Sequence, residues 1–210
     1  MPKATKSNYV PTPAGVHHAV CYAAIDIGTQ PAFGRFPARR KVMLIWELPE
    51  ERIEVTVNGA PTMLPRSISK EYTLSTGAKS NLRKDLASWR GRDFTPEEIE
   101  EFEVGKVVGA NCQVCVVHKP SADGSRIYAN VQSIMPLPKG VQKLTPENPA
   151  LVFDIPREGP ISFPDIMPEW IVNKIKNSEQ YADRQNPQRA QARAESQADA
   201  RPPVDLDVPF

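Results

Sequence analysis

The chain has 210 residues, with 26 Lys and Arg against 25 Asp and Glu, so its total charge singles out no class of partner. Its three cysteines are too few, and odd in number, for a secreted disulfide scaffold, and they favour a reducing cytoplasm. The first residues lack the apolar segment of a signal peptide, and the longest apolar run, VMLIW, is far too short to cross a bilayer.

Charge is unevenly distributed along the chain. Residues 1–92 carry 14 Lys and Arg and 7 Asp and Glu, residues 93–175 carry 7 and 12, and residues 176–210 carry 5 and 6. The basic first half favours contact with a polyanion. The alternative at this stage is a solvated surface over which the charges are simply scattered.

Pro and Gly separate segments of strand-like composition in the first half of the chain. These segments predict three strands, at residues 15–28, 41–48 and 66–75, and a hairpin-like excursion at residues 52–59 that consists of a short strand and a turn. Pro49 ends the second strand, whose two faces are both largely apolar, and this favours a strand buried on both sides. Farther on, two more strands are predicted at residues 110–119 and 126–136.

Helical periodicity and capping signals predict helices at residues 77–91, 94–102 and 168–181. In the first of these, Leu82, Leu86 and Trp89 recur on one face, and Gly91 stands where a C-terminal cap belongs. The second begins with Thr95 as its N-cap, followed by a proline and a first turn of acids.

Three strands, a helical connection and two strands follow one another in the order of the OB-fold, a five-stranded, partly open Greek-key barrel. Other small barrels share this order. The fold class predicted is therefore mainly β, with a C-terminal helical extension. The predicted organisation is a flexible arm at 1–13, an OB domain at 14–138, a Pro-rich extension with a helix at 139–181, a disordered linker at 182–203 and an acidic segment at 204–210.

The loop FGRFPARRK joins the first two strands and packs two aromatic residues and four cations into nine positions. Single-stranded nucleic acid exposes base faces that stack on rings and phosphates that attract cations. This loop is one of the two that an OB barrel uses to grip oligonucleotides. We therefore predict nucleic-acid contacts from Phe33, Arg35, Phe36, Arg39, Arg40 and Lys41. A surface loop anchored by its phenylalanines, with solvated arginines, is the alternative.

Two strands add a cation and a ring at positions i and i+2, which place both side chains on one face. The pairs are Lys70 with Tyr72 and Arg126 with Tyr128. We predict that they extend the nucleic-acid surface, although Tyr72 fits a core tyrosine equally well. Trp46 and Trp89 fit core positions better than stacking positions.

Catalytic and metal-binding motifs are not convincing in this sequence, so we predict no enzyme activity, no cofactor and no metal. Cys112 and Cys115 have the CxxC spacing of a zinc knuckle, but a second ligand pair is missing, and residues three apart in a strand point to opposite faces. His118 beside Cys115 meets the same objection. The sequence contains neither a P-loop nor a Gly-rich nucleotide fingerprint.

The segment RPPVDLDVPF at residues 201–210 resembles the C-terminal tip of bacterial single-stranded-DNA-binding proteins (SSB), which are OB-fold proteins with a disordered linker and an acidic tip ending in Pro-Phe. In that family the tip is a docking peptide for replication, recombination and repair enzymes. The resemblance implies partner-binding roles for Asp205, Asp207, Val208, Pro209 and Phe210. The linker is not Gly-rich, and the tip has two acids where the family often has a longer acidic run.

The body of the chain lacks the usual signatures of the bacterial SSB barrel. Its segments SKEYTLS, SNLRKDLASWRGRDFTPEE and YANVQSIMPLPKG instead resemble a group of bacteriophage proteins associated with replication and recombination. Together the resemblances imply a phage-encoded SSB acting in the host cytoplasm, bound to single-stranded DNA, free of the membrane and compatible with a homo-oligomer. Two alternatives remain open: an adaptor or inhibitor that mimics the tip without binding DNA, and a nuclease subunit.

Overall fold

The computed structural model describes residues 10–193 except 58, 187 and 189. The chain divides into two compact units. The first comprises the chain up to Asp26 together with Arg40–Asp154, and the second comprises Ile27–Arg39 and the chain from Ile155 onward. Residues 1–9 of the arm predicted at 1–13, residues 194–203 of the predicted linker and the predicted tip at 204–210 lie outside the described residues.

The protein is mainly β. Its strands are β1 (Gly15–Gln30), β2 (Arg39–Val57), β3 (Ala60–Thr73), β4 (Asn111–Pro120), β5 (Ile127–Pro136) and β6 (Leu151–Phe153). Its helices are α1 (Asn81–Arg90), α2 (Pro96–Glu100), α3 (Glu169–Lys176) and α4 (Glu179–Gln185), with a short 3-10 turn at Val104–Val107. None of the helices in the described residues has the length and apolar character needed to cross a bilayer.

One sheet contains all six strands, in the order β3-β2-β1-β4-β5, with β6 added to β1 in parallel. The pairs β2–β3, β1–β4 and β4–β5 are antiparallel. β3 and β5, at the two ends of this order, come within 8 Å of each other between Cα atoms. Hydrogen bonds between them do not close the described part of the sheet into a barrel.

The core of the first unit lies between one face of this sheet and α1. Leu82, Leu86 and Trp89 are buried on the inner face of α1, as their spacing predicted. Trp89 meets Trp46 of β2 at 6.0 Å between ring centroids, so both tryptophans are core residues. Gly91 caps α1 with a φ of 76°, a left-handed conformation that favours glycine, and this confirms the predicted helix end.

β2 differs from its prediction because Pro49 does not end it. The strand is continuous to Val57, and its register against β3 shifts between Leu48 and Arg52. A bulge of this kind accommodates a residue that cannot donate to the ladder. The short strand predicted separately at residues 52–57 is therefore the far end of β2. The prediction that β2 is buried on both faces is confirmed for residues 42–48.

The sheet continues past residue 138, the predicted end of the OB domain. Leu151–Phe153 pairs with Ala23–Ile25 of β1. Glu47 of β2 is fully buried, and its carboxyl oxygens accept hydrogen bonds from the backbone N–H groups of Glu147 and Asn148, at 2.9 and 2.8 Å. Residues 147–153 therefore complete the first unit rather than extend from it.

The helix predicted at residues 168–181 is two helices in the second unit. α3 ends at Lys176, and Ser178 begins α4 by accepting a hydrogen bond from the Tyr181 N–H. A serine that caps a new helix interrupts the pattern without a proline or a glycine, which explains why periodicity alone missed the break. α4 also covers residues 182–185, the start of the predicted disordered linker.

Candidate nucleic-acid interface

The loop between β1 and β2 forms a tight hairpin at its tip. The Phe33 N–H donates to the Phe36 carbonyl at 2.9 Å, and the Phe36 N–H donates to the Phe33 carbonyl at 3.0 Å. Gly34 has a φ of 56°, which the short turn between the two phenylalanines requires and which glycine adopts without steric cost. Because directly opposed residues of a hairpin share a face, Phe33 and Phe36 project on the same side.

Both phenylalanines are exposed to solvent, Phe33 at 84% and Phe36 at 63%. Burying a phenylalanine side chain contributes about 1.5–3 kcal/mol, so a fold that leaves two outside forgoes a substantial stabilisation. Arg35 lies with its guanidinium 5.5 Å from the centroid of the Phe36 ring. The alternative that the phenylalanines anchor the loop is therefore wrong: they form its outer surface.

The cations that follow the tip of the hairpin differ in whether an acidic side chain lies close to them. Arg39 is exposed, and no acid of the described residues lies within ion-pair distance of it. Arg40 instead donates to the side chain of Asp26, with Nη2 at 2.5 Å from Oδ2, and the Asp26 side chain is only 4% exposed. Lys41 lies 3.7 Å from Glu71. Arg40 and Lys41 therefore help to hold the first unit together.

Lys70 and Tyr72 share a face, as predicted, but it is the buried face. Tyr72 is 3% exposed, and its hydroxyl donates to Asp85 of α1 at 2.8 Å. The Lys70 ammonium donates to the same carboxyl oxygen at 2.6 Å. Burial, followed by the charge of Asp85, raises the pKa of the Tyr72 hydroxyl. The predicted stacking role of Tyr72 is thus wrong, because the ring has no free face; the pair links β3 to α1.

Arg126 and Tyr128 lie on the hairpin that joins β4 to β5. Tyr128 is 45% exposed and stands directly opposite Lys119 of β4, so its ring and the Lys119 ammonium occupy one face of this hairpin. The turn is fixed by Asp123, whose pKa is lowered to about 2 by hydrogen bonds from Ser121 and Ser125. Sequence reasoning missed Lys119, because only the strand register reveals it as the partner of Tyr128.

The structure thus brings the predicted residues together in two separate groups. Phe33, Arg35, Phe36 and Arg39 belong to the second unit. The first unit holds Arg126, Tyr128 and the newly found Lys119, as well as the paired cations Arg40, Lys41 and Lys70. The predicted partner-binding residues at 205–210 lie outside the described part of the chain.

The two cysteines of the CxxC pattern differ in their burial. Cys112 is buried in the core, whereas Cys115, three residues along β4, is only partly buried. Burial raises the pKa of the Cys21 thiol to about 12 and raises that of Cys112 as well. Between residues 10 and 193, outside the three undescribed positions, no three His, Cys, Asp or Glu side chains are grouped as they would be around a metal ion.

Comparison of the chain with protein-family models, with curated proteins and with solved structures finds no match.

Proposed function

We propose that this protein binds single-stranded DNA without sequence preference and without catalysing a reaction. The observation that carries the proposal is the pair of exposed phenylalanines, Phe33 and Phe36, on one side of a tight hairpin. Their rings offer stacking faces that every base can use, which makes recognition tolerant of sequence. Arg35 and Arg39, which no acid of the described residues neutralises, supply charge for the phosphates.

The strand order also supports the proposal. Three strands, a helical connection and two strands, in the order β3-β2-β1-β4-β5, form a sheet that is not closed between β3 and β5. We propose that it is an open form of the OB fold, whose order of elements it shares. In such a barrel the loop between β1 and β2 and the loop between β4 and β5 contact oligonucleotides. The first loop carries Phe33, Phe36 and exposed arginines here, and Arg126 lies in the second loop two positions before the exposed Tyr128 of β5.

The resemblance of residues 205–210 to the SSB tip adds partner recruitment to the proposal. Two acids alternate with apolar side chains there, a composition that fits an apolar pocket with a basic rim on a replication or recombination enzyme. With the resemblance to phage proteins, we propose that the protein acts on phage DNA in the host cytoplasm. DNA binding itself rests on the hairpin and not on this segment.

The test is fluorescence anisotropy of a labelled dT oligomer at low salt, with a duplex of the same length as comparator. Wild-type protein should bind the single strand more tightly than the duplex. Replacing Phe33 and Phe36 by Ala should weaken binding by about 1–3 kcal/mol for each lost stack. Because neither ring is buried, circular dichroism and the melting temperature should remain those of the wild type.

The matched control is Ile166→Ala, which removes a large apolar side chain of the same unit that is 52% exposed. This variant should bind like the wild type. Absence of binding to dT by wild-type protein would overturn the proposal, and so would equal affinity of the double phenylalanine variant and the control.

A further inference from the structure

The residues that lead into the Phe33–Phe36 hairpin contact the C-terminal helices. Ile27–Arg39 and the chain from Ile155 onward form one compact unit, although more than a hundred residues separate them in sequence. The end of β1, at residues 28–30, contacts α3 and α4 through three consecutive residues. These contacts lie directly before the loop that carries the exposed rings.

The strongest of these contacts is made by Gln180 of α4. Its side-chain oxygen accepts a hydrogen bond from the Thr29 N–H at 2.7 Å, and its side-chain nitrogen donates to the Thr29 hydroxyl at 2.8 Å. One amide group therefore fixes both the backbone and the side chain of Thr29. An amide side chain is suited to this because it carries a donor and an acceptor side by side.

Gly28 and Gln30 add one contact on each side of Thr29. Gly28 has a φ of 72°, and a Cβ at this position would lie 2.6 Å from the Ser178 Cβ, so only glycine allows so close an approach. The Gln30 side-chain nitrogen donates to the carbonyls of Ile27 at 2.6 Å and Lys174 at 3.2 Å. Three successive residues are thus fixed against the ends of α3 and α4.

The helices are well placed to serve as a support. Ser178 is fully buried at the N-cap of α4. Arg193 pairs with Glu179 and Asp183, each at 2.7 Å, and so ties the following segment back to α4. A loop on its own holds side chains less accurately than one whose foot is fixed by packed elements.

We infer that α3 and α4 set the position of the Phe33–Phe36 hairpin, with Gln180 as the positioning residue. The consequence of this positioning for DNA rests on the proposed function. A molecule that displaces α4 changes the affinity of the hairpin for single-stranded DNA. By linkage, DNA binding changes the affinity of the protein for that molecule by the same factor. α3 and α4 are then a positioning element of the DNA site.

The test compares three variants of the full chain. Gln180→Ala removes both hydrogen bonds to Thr29. Gln180→Glu keeps the acceptor for the Thr29 N–H, and the Thr29 hydroxyl can donate to the second oxygen. Gln185→Ala, at the exposed end of α4, is the matched control.

Hydrogen exchange measured by mass spectrometry reports on the hairpin directly. Gln180→Ala should accelerate exchange in a peptide covering residues 29–36 and leave β4 and β5 unchanged, whereas Gln180→Glu and Gln185→Ala should match the wild type. Unchanged exchange at residues 29–36 in Gln180→Ala would overturn the inference. This measurement stands whether or not the protein binds DNA.

Anisotropy with the dT oligomer then tests the coupling. Gln180→Ala should weaken binding at least about fivefold, the lower end of typical coupling between sites. In a chain that already lacks both phenylalanines it should cause no further loss, because Gln180 acts through the hairpin. Equal losses in both backgrounds, or faster exchange with unchanged affinity, would overturn the coupling. If wild-type protein does not bind dT, the proposed function fails, and the exchange result alone decides the positioning role.

Discussion

At the scale of single residues, sequence pattern predicted which side chains share a face but not which face it is. The spacing of Lys70 and Tyr72 correctly placed them side by side, with the ammonium 5.3 Å from the ring centroid. Their exposure depends on α1, because Asp85 of that helix accepts hydrogen bonds from both side chains. The sequence pattern does not predict which face of the sheet α1 packs against. The composition of their loop predicted a binding surface for Phe33 and Phe36 but left an anchoring role open, and only their exposure in the structure decides between the two.

Adjacent arginines provide a sharper residue-scale prediction. Arg39→Ala should flatten the dependence of log K on log salt by about 0.7 for single-stranded DNA, the contribution of one phosphate contact, with an unchanged melting temperature. Arg40→Ala should leave this slope alone and lower the free energy of unfolding by roughly 2 kcal/mol. That is less than the 3–5 kcal/mol of a fully buried pair, because the Arg40 side chain is 47% exposed although Asp26 is buried.

The two variants are controls for each other, since both remove one arginine at neighbouring positions. Salt titrations of dT anisotropy and urea unfolding curves measure the two effects. A flattened salt slope in Arg40→Ala with normal stability would show that Arg40 contacts phosphate and that the pairing with Asp26 is dispensable.

At the scale of secondary-structure elements, the confirmed predictions of helix ends rest on contacts between residues close in sequence. Thr95 begins α2 by accepting from the Glu98 N–H, and Gly91 ends α1 in the left-handed conformation, as the capping pattern predicted. The predictions that failed depend on contacts between residues far apart in sequence. Pro49 stays within β2 because a bulge accommodates it, and the three-residue strand β6 forms by pairing with β1.

Glu98 of α2 carries a prediction about pH. Its carboxyl group accepts hydrogen bonds from Arg92 at 2.5 Å, Arg90 at 2.8 Å and the Thr95 N–H at 3.1 Å. These hydrogen bonds, of which the one from Arg92 has the largest effect, lower the pKa of Glu98 well below its ordinary value of 4.5. A folded-state pKa below the unfolded one means that the stabilisation is complete above 4.5 and is lost as pH falls toward the folded pKa.

The melting temperature of the wild type should therefore exceed that of Glu98→Gln at about pH 7, and the difference should shrink steadily as pH is lowered from about 5 to about 2. Glu100→Gln, an exposed change in the same helix, is the control and should track the wild type throughout. A difference between wild type and Glu98→Gln that stays constant over this range would mean that the arginines do not stabilise the ionised carboxyl group.

At the scale of the whole molecule, the order of strands and helices in the five-stranded part was predictable, whereas the way the sheet is completed was not. Three strands, helices and two strands follow from composition and periodicity, and neighbouring strands pair as that order suggests. β6 pairs with β1 directly after a segment whose backbone donates to Glu47, 100 and 101 positions away in sequence. In the sequence, Glu47 is merely a charge at the end of an apolar strand.

Glu47 is therefore expected to matter more for stability than its place in the sequence suggests. It is fully buried, and its carboxyl group accepts from the Glu147 and Asn148 N–H groups and from the Asn148 side-chain nitrogen. Glu47→Ala removes the acceptor of these three donors, one on the exposed Glu147 and two on the half-buried Asn148. Because solvent can in part replace that acceptor, and a hydrogen bond to a charged group contributes about 1.5–3 kcal/mol, the free energy of unfolding should fall by about 3 kcal/mol.

Urea unfolding measures this loss, with Glu54→Ala as the control, since Glu54 is exposed farther along the same strand. Hydrogen exchange should show the consequence for the fold: amides of residues 147–153 should exchange faster in Glu47→Ala, while those of β4 and β5 should keep the wild-type protection. Equal stability of the two variants would show that the β6 pairing with β1 holds this segment without Glu47. The buried carboxyl group of Glu47 would then contribute nothing measurable to the attachment of β6 to the sheet.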